Sequence, residues 1–143
     1  MLISIIILIT NMLSERRFPL ATLIPIQYPK GDNSLSRFVN WLKKEYGPGE
    51  SIVHLTLMIK VIKQFEQYGT EINTYIGGTP FKKLHGEDKL CELRTKYDRL
   101  FIYRLEQSNY LLLHGYKKQS NKTPNNEIKK AKGEYKLWEN NNK

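Results

Sequence analysis

Two arginines, a histidine and a lysine in the second half of the sequence have the chemistry to bind a phosphate and to move a proton beside it. Arg94 and Arg99 flank the short turn Tyr97-Asp98, which folds them toward each other. A guanidinium stays charged and grips phosphate oxygens in pairs. His114 can exchange a proton near neutral pH, and Lys117 follows where its strand ends. The pattern predicts a phosphate site at one rim of a sheet.

Each of these residues also has a purely structural interpretation. Arg94 can pair with Glu92 or Glu106 across the sheet, and His114 follows three leucines, which is typical of a satisfied core histidine. A short basic segment around Lys117 can also be a solvated loop. The sequence leaves these alternatives open.

The overall charge indicates a polyanionic partner. The 143 residues contain 23 Lys and Arg against 14 Asp and Glu, which gives a net charge of +9. Such a surplus favours nucleic acid, an acidic protein or an anionic membrane, although a merely soluble basic surface is the alternative. The length fits one domain with a core of its own.

The sequence lacks the motifs of several classes of enzyme. His54, His85 and His114 show no metal-ligand spacing, and no Ser/His/Asp arrangement, P-loop or dinucleotide fingerprint is present. We therefore expect neither a metal nor a cofactor. Cys91 has no partner for an internal disulfide and lies in an apolar strand pattern. This predicts a core residue in a reducing, cytoplasmic setting.

The N-terminal segment is almost entirely apolar as far as residue 13. It is too short for a membrane-spanning helix, which needs about 20 residues. Three interpretations remain: an upstream start codon with the true start at Met12, which we favour, an extra edge strand, or a weak membrane anchor. We expect residues 1–19 to be an extension, 20–138 the functional domain and 139–143 a disordered tail.

The remaining pattern predicts an α+β fold. Residues 20–28 read as an edge strand because of their prolines, and amphipathic spacing predicts a helical hairpin over residues 35–46 and 51–68. After an irregular stretch, three strands at 89–96, 99–106 and 109–116 are joined by turns short enough to require an antiparallel meander. Thr123-Pro124 then opens a C-terminal helix, with Thr123 as its N-cap.

The order of these elements and several sequence segments resemble the RelE/ParE toxin superfamily, and the closest branch is the HigB-like, phage-related host-inhibition group. The resemblance covers residues 26–135. The segments that carry it are Phe81-Lys82-Lys83-Leu84, Leu90-Cys91-Glu92-Leu93-Arg94, Arg99-Leu100-Phe101-Ile102-Tyr103, Leu112-Leu113-His114-Gly115-Tyr116-Lys117-Lys118 and Asn121-Lys122-Thr123-Pro124. The apolar N-terminus and the proline-interrupted first strand depart from the family pattern.

The resemblance implies a RelE-like fold and the toxin of a type II toxin–antitoxin system. RelE- and HigB-type toxins cleave mRNA on the ribosome without a metal, by attack of a 2′-hydroxyl on the adjacent phosphorus. ParE-type toxins share the fold but inhibit DNA gyrase, so the fold alone does not decide the target. A non-enzymatic nucleic-acid-binding module is the third alternative. The implied partners are a helix-turn-helix antitoxin, the ribosome and mRNA, with membrane association unlikely.

The resemblance, together with the chemistry of the side chains, also suggests roles for individual residues. Arg99 matches the catalytic arginine that precedes a Leu-aromatic strand, and Arg94, His114 and Lys117 complete the expected catalytic set. The expected RNA-binding residues are basic, or tyrosines that can stack on an unpaired base: Lys82, Lys83, Tyr97, Tyr116, Lys118 and Lys122. For each lysine, a solvated surface position is the alternative.

Overall fold

The structure, a computed structural model, describes residues 19–142, so the interpretations given for residues 1–18 and for Lys143 concern chain outside the described range. The elements follow in the order β1 (Thr22–Pro25), α1 (Ser34–Tyr46), α2 (Glu50–Tyr68), a 3₁₀ turn (Gly69–Glu71), α3 (Ile72–Tyr75), β2 (Phe81–Lys83), β3 (Leu90–Arg94), β4 (Asp98–Arg104), β5 (Asn109–Lys117) and α4 (Asn125–Asn141). The last helix therefore runs past the predicted domain boundary at residue 138. Within residues 19–142 no helix is both long and apolar enough to cross a membrane.

The strands form one mixed sheet in the order β1-β5-β4-β3-β2. The pairs β2–β3, β3–β4 and β4–β5 are antiparallel, and β1 pairs parallel with β5 at one edge. The α+β class, the helical hairpin, the meander, the edge position of β1 and the C-terminal helix are thus confirmed, and the fold is consistent with a RelE-like one.

The prediction of an irregular stretch between residues 70 and 88 was wrong. That stretch contains the 3₁₀ turn, α3 and the edge strand β2, which makes the sheet five-stranded. Lys82 and Lys83, which we expected to precede the sheet, lie in β2 and pair with Glu92 and Cys91 of β3. A three-residue strand whose stability comes from backbone pairing is too short to produce a recognisable alternation in the sequence.

The sheet separates two apolar clusters. The α1–α2 hairpin covers one face, where Leu93, Leu100, Ile102 and Leu112 pack against it. On the opposite face Phe101 and its neighbours meet Ala131, Ile128, Tyr135 and Trp138 of α4. We call these the hairpin face and the α4 face. Successive residues along β3 and β4 therefore contact different helices. Cys91 is a buried core residue, as predicted.

A register shift in the β4–β5 pairing reverses this alternation near the end of β5. Leu100 pairs with Gly115, but Ile102 pairs with Leu112, so two residues of β5 oppose Phe101. This extra residue is a β-bulge, which re-aims the side chains that follow it. As a result both Leu113 and His114 lie on the α4 face.

After the bulge, Gly115 lies directly beneath α1. A Cβ added at this position would be 2.3 Å from a ring carbon of Phe38 and 3.0 Å from the backbone oxygen of Arg99. Neither neighbour can yield easily, because Phe38 is buried in the core and Arg99 O belongs to the paired strand. The close approach of α1 to the sheet therefore requires glycine at this position.

We expect Gly115→Ala to lower the free energy of unfolding by about 1–3 kcal/mol, because the added methyl overpacks the contact with Phe38. Gly133→Ala is the matched control: it lies inside α4 and its Cβ would meet nothing within 4 Å. That control should raise stability by about 0.5–1 kcal/mol through helix propensity. Urea unfolding measures both. Equal effects of the two substitutions would contradict the packing described here.

Candidate functional site

The two arginines predicted to meet do lie side by side. Arg94 of β3 pairs with Arg99 of β4, and Arg99 pairs in turn with Tyr116 of β5. This row crosses the sheet next to the turn at residues 95–97, which joins β3 to β4, and the end of β5 lies beside it through its pairing with β4. We call this region the hairpin end of the sheet, after the β3–β4 hairpin; the hairpin face, in contrast, is named after the helices α1 and α2.

A buried glutamate lies among the side chains of this row. Glu92 is 2% exposed, and its Oε1 lies 3.9 Å from Arg94 Nε and 4.0 Å from Arg99 Nε. The Tyr116 hydroxyl donates to Glu92 Oε2 at 2.7 Å, and the Thr123 hydroxyl lies 3.3 Å from the same oxygen. The predicted N-cap role of Thr123 was wrong, because α4 begins two residues later without a side-chain cap. The hydroxyl of Thr123 contacts Glu92 instead.

Arg99 is fixed in place by its surroundings. It is 4% exposed, and its Nη1 donates to the backbone oxygens of Thr95 at 2.6 Å and Asp98 at 3.0 Å. Burial, and after it the charge of Arg94, lowers the pKa of this guanidinium from its usual value. Arginine has so high a pKa that it remains a cation. Arg99 is therefore a preorganised positive charge.

Beside these arginines lies a cleft of about 440 Å³ between α2, the chain after α3 and the turn at residues 95–97. Its lining contains five cationic residues and no acidic one. The cationic residues are Lys60, Arg94, Lys96, Arg99 and Lys118. The sequence analysis missed Lys60 and Lys96, because neither lies in a motif and Lys60 belongs to a helix distant in sequence. The cleft is suited to an anion.

His114 occupies a different environment. Its Nδ1 faces Glu134 Oε1, and its Nε2 lies 3.2 Å from Glu127 Oε1, so both ring nitrogens face carboxylates of α4. It lines a separate cavity, of about 180 Å³, together with Glu134. Neither Arg94 nor Arg99 lines that cavity. The structure does not bring His114 together with the predicted arginines.

Lys117 lies at the hairpin end but on the other face of the sheet. It pairs with Asp98 in the β4–β5 register. Its Nζ lies 3.9 Å from Glu45 Oε1 and 5.6 Å from the centroid of the Tyr46 ring, both in α1. The predicted catalytic set is therefore divided between the cleft, the hairpin face and the contact with α4.

The predicted RNA-binding residues are also dispersed. Tyr97 is 40% exposed in the turn, with Lys96 Nζ 5.5 Å from its ring centroid. Lys118 lines the cleft, and Lys122 is exposed in the loop before α4. Tyr116 is buried, and its ring stacks on Phe101. Of these two tyrosines, only Tyr97 has a ring that is accessible from solvent.

Sequence reasoning missed a buried polar cluster at the same end. On the hairpin face, Asp98 accepts a hydrogen bond from the Tyr46 hydroxyl, and its Oδ2 lies 2.7 Å from His54 Nδ1. Burial and this hydrogen bond raise the pKa of Tyr46 well above its usual value. Asp98 is separated by 44 residues from His54 and by 52 from Tyr46. Only the tertiary fold could show their contact.

Among residues 19–142 the structure contains no group of three or more histidine, cysteine, aspartate or glutamate side chains that could hold a metal ion.

We expect Glu92→Gln to lower the free energy of unfolding by about 1–3 kcal/mol, because it removes the negative charge beside the buried Arg99 and the half-buried Arg94. Glu87→Gln is the matched control, since Glu87 forms an ion pair with the largely exposed Lys132. That change should stay within about 0.5 kcal/mol. Urea unfolding of both variants provides the measurement, and an effect of Glu92→Gln no larger than the control would argue against Glu92 as the counter-charge.

Comparison of the sequence with models of known protein families finds one match. A family model described as phage-derived protein Gp49-like (DUF891) matches residues 55–136, which is more than half of the chain. The match runs from α2 into α4 and contains the arginine pair, Glu92 and His114. No curated protein matches the sequence. The Gp49-like family is a RelE/HigB-like toxin family, in agreement at that level with the resemblance seen in the sequence. The chain belongs to the Gp49-like family of phage-derived proteins.

Proposed function

We propose that this protein is the HigB-like toxin of a type II toxin–antitoxin system and cleaves translated mRNA as a metal-independent, ribosome-dependent endoribonuclease. Family membership supports a toxin with an antitoxin partner in general terms. The observation that carries the nuclease proposal is the cleft lined by five cationic residues and no acidic one. A surface of this kind binds the phosphates of a polyanion.

The reaction needs charge stabilisation more than any other contribution. When the 2′-oxygen attacks the adjacent phosphorus, negative charge grows on the non-bridging oxygens as the bond to the 5′-oxygen breaks. Fixed, poorly solvated cations stabilise that charge without having to reorganise. Arg99 has this character because it is buried and held by two backbone oxygens. We assign Arg99 to the scissile phosphate.

Arg94 is the second phosphate ligand in this proposal. Its Nε is buried and makes no hydrogen bond within the described part of the chain. A buried donor without an acceptor is unfavourable, and a phosphate oxygen would satisfy it. Together the two guanidinium groups could hold one phosphate from two sides.

The remaining cations and the exposed tyrosine bind the flanking RNA in this proposal. Lys60, Lys96 and Lys118 line the same cleft and would contact neighbouring phosphates. Tyr97, in the turn beside them, is exposed enough to stack on an unpaired base. The lysines outside the cleft would contact ribosomal RNA: Lys82, Lys83, Lys117 and Lys122.

We assign His114 to the docking of α4 and not to proton transfer. Both of its nitrogens face carboxylates of that helix, which leaves neither free to reach a substrate. The ring of Phe101 lies 5.1 Å away, so the imidazole also packs into the core of the α4 face. Removing His114 should therefore affect stability more than chemistry.

The proposed antitoxin is a helix-turn-helix protein that carries an acidic segment. A net charge of +9 favours association with such a segment, and covering the cleft would exclude mRNA from both arginines. The proposed target is the translating ribosome, which implies a cytoplasmic location. These assignments of antitoxin type, target and location extend the family resemblance.

We expect Arg99→Ala to lower the rate of mRNA cleavage by about 10²–10³-fold, the usual effect of losing one preorganised donor to a developing charge. Arg94→Ala should cost about 10–100-fold, the equivalent of one charge-assisted hydrogen bond. Lys136→Ala removes the same charge from an exposed position on α4 and should leave the rate unchanged. The cleavage rate is measured with purified ribosomes, a translated mRNA and the toxin. Thermal melting establishes that each variant is folded.

Two results would overturn the nuclease proposal. One is an Arg99→Ala protein that is folded and cuts mRNA at the wild-type rate. The other is growth arrest with intact mRNA and gyrase-linked DNA breaks, which would assign the chain to the gyrase-inhibiting class. In either case the reference is the control variant Lys136→Ala, which should arrest cell growth as strongly as the wild type.

A further inference from the structure

The buried pair formed by His54 and Asp98 lies at the hairpin end, and the proposed function makes no use of it. His54 is 4% exposed and Asp98 is fully buried. The imidazole is stacked on the Tyr46 ring at 3.6 Å and contacts the ring of Tyr97 at 4.7 Å. Such a histidine is held in one orientation, because two aromatic rings and a carboxylate contact it.

The carboxylate of Asp98 determines which nitrogen of His54 carries the proton. An ionised carboxylate can only accept hydrogen bonds, so we assign the proton to Nδ1, which lies 2.7 Å from Oδ2. The other oxygen, Oδ1, already accepts from the Tyr46 hydroxyl. The lone pair of the imidazole is then on Nε2, which makes no hydrogen bond to any residue between 19 and 142. An imidazole oriented by a carboxylate in this way can act as a base.

The position of His54 on α2 places it beside the cationic cleft. Leu57 and Val61, three and seven residues later, lie on the same stripe of the helix and line the cleft. On the opposite wall, Lys96 and Arg99 line it as well, and they flank the two residues that His54 contacts, Tyr97 and Asp98. His54 does not itself line the cleft, but it contacts Tyr97 and Asp98, which lie in sequence between the lining residues Lys96 and Arg99.

We propose that His54 is the general base of the cleavage reaction, oriented by Asp98. This inference rests on the proposed nuclease function and adds the residue that this function lacks. His54 Nε2 takes the proton of the 2′-hydroxyl as the 2′-oxygen bonds to phosphorus. The bond from phosphorus to the 5′-oxygen breaks, and that oxygen takes a proton from water. The products are a 2′,3′-cyclic phosphate and a 5′-hydroxyl, and His54 returns its proton to solvent.

The competing explanation is that His54 only anchors α2 to the sheet. A structural anchor would affect stability, whereas a base affects turnover and its dependence on pH. The groups that face the imidazole are Asp98 and Tyr97 from β4 and its turn, and Tyr46 from α1. Two cations lie over those tyrosines, Lys96 over Tyr97 and Lys117 over Tyr46. None of these groups is altered by a substitution at position 54.

His54→Asn separates the two explanations. The asparagine amide can still donate to Asp98, but it has no nitrogen that can accept a proton. We expect kcat for mRNA cleavage on ribosomes to fall about 10²–10⁴-fold, the usual contribution of general base catalysis, with little change in KM. A general base leaves an acid limb in the dependence of the rate on pH, and we expect this limb in the wild type and not in the variant.

His85→Asn is the matched control, because His85 is exposed in the loop before β3 and should keep both the rate and the pH profile. Asp98→Asn is the second variant, which keeps the size of the side chain but removes its charge. It should also lower kcat while the acid limb remains, because His54 is still present. Circular dichroism and thermal melting establish that each variant is folded.

The outcomes separate this inference from the function on which it rests. If the wild type fails to cut mRNA on ribosomes, the nuclease proposal and the role of His54 fall together. If the wild type cuts and His54→Asn retains its rate and its acid limb, the base assignment alone is overturned. A variant whose melting temperature drops while the residual folded fraction cuts normally would show that His54 is an anchor.

Discussion

Two like charges stand side by side across the β3–β4 hairpin because a carboxylate is buried next to them. Arg94 and Arg99 are cross-strand partners, an arrangement that is destabilising without a counter-charge. Glu92 lies about 4 Å from both guanidinium groups and receives two hydroxyl contacts in addition. The cationic end of the sheet depends on this side chain, and Thr123 connects it to the start of α4.

The β-bulge in β5 determines which side chains can take part at this end. With a regular strand, the alternation that puts Leu112 on the hairpin face would put His114 there too and would move Gly115 to the α4 face. The extra residue reverses this order. His114 consequently meets the glutamates of α4, Gly115 makes room for Phe38, and Tyr116 reaches Glu92. One inserted residue thus gives His114 its two glutamate partners on α4.

Local patterns in the sequence were sufficient for the larger elements. Amphipathic spacing located α1 and α2 to within a residue or two, and the short connections located the β3–β5 meander. The meeting of Arg94 and Arg99 was also predictable, because a tight hairpin fixes which residues oppose each other. Strand β2 was not predictable, since a strand of three residues has no period to detect.

The remainder of the candidate site depends on contacts between residues that are distant in sequence. Lys60 joins the cleft only because α2 packs beside the turn at residues 95–97, and His54 meets Asp98 for the same reason. The environment of His114 depends on a bulge that no residue type marks. The residues of the proposed site other than the arginines therefore required the three-dimensional structure.

The parallel pairing of β1 with β5 has a consequence for how the chain acquires its shape. The cross-strand partner of Thr22 is Asn109, so one edge of the sheet closes only after most of the sequence is available. Contacts that join such distant segments are slow to form and are made late when a chain emerges from its N-terminus. Newly synthesised molecules should therefore spend a short interval with the first strand unpaired and vulnerable to proteolysis.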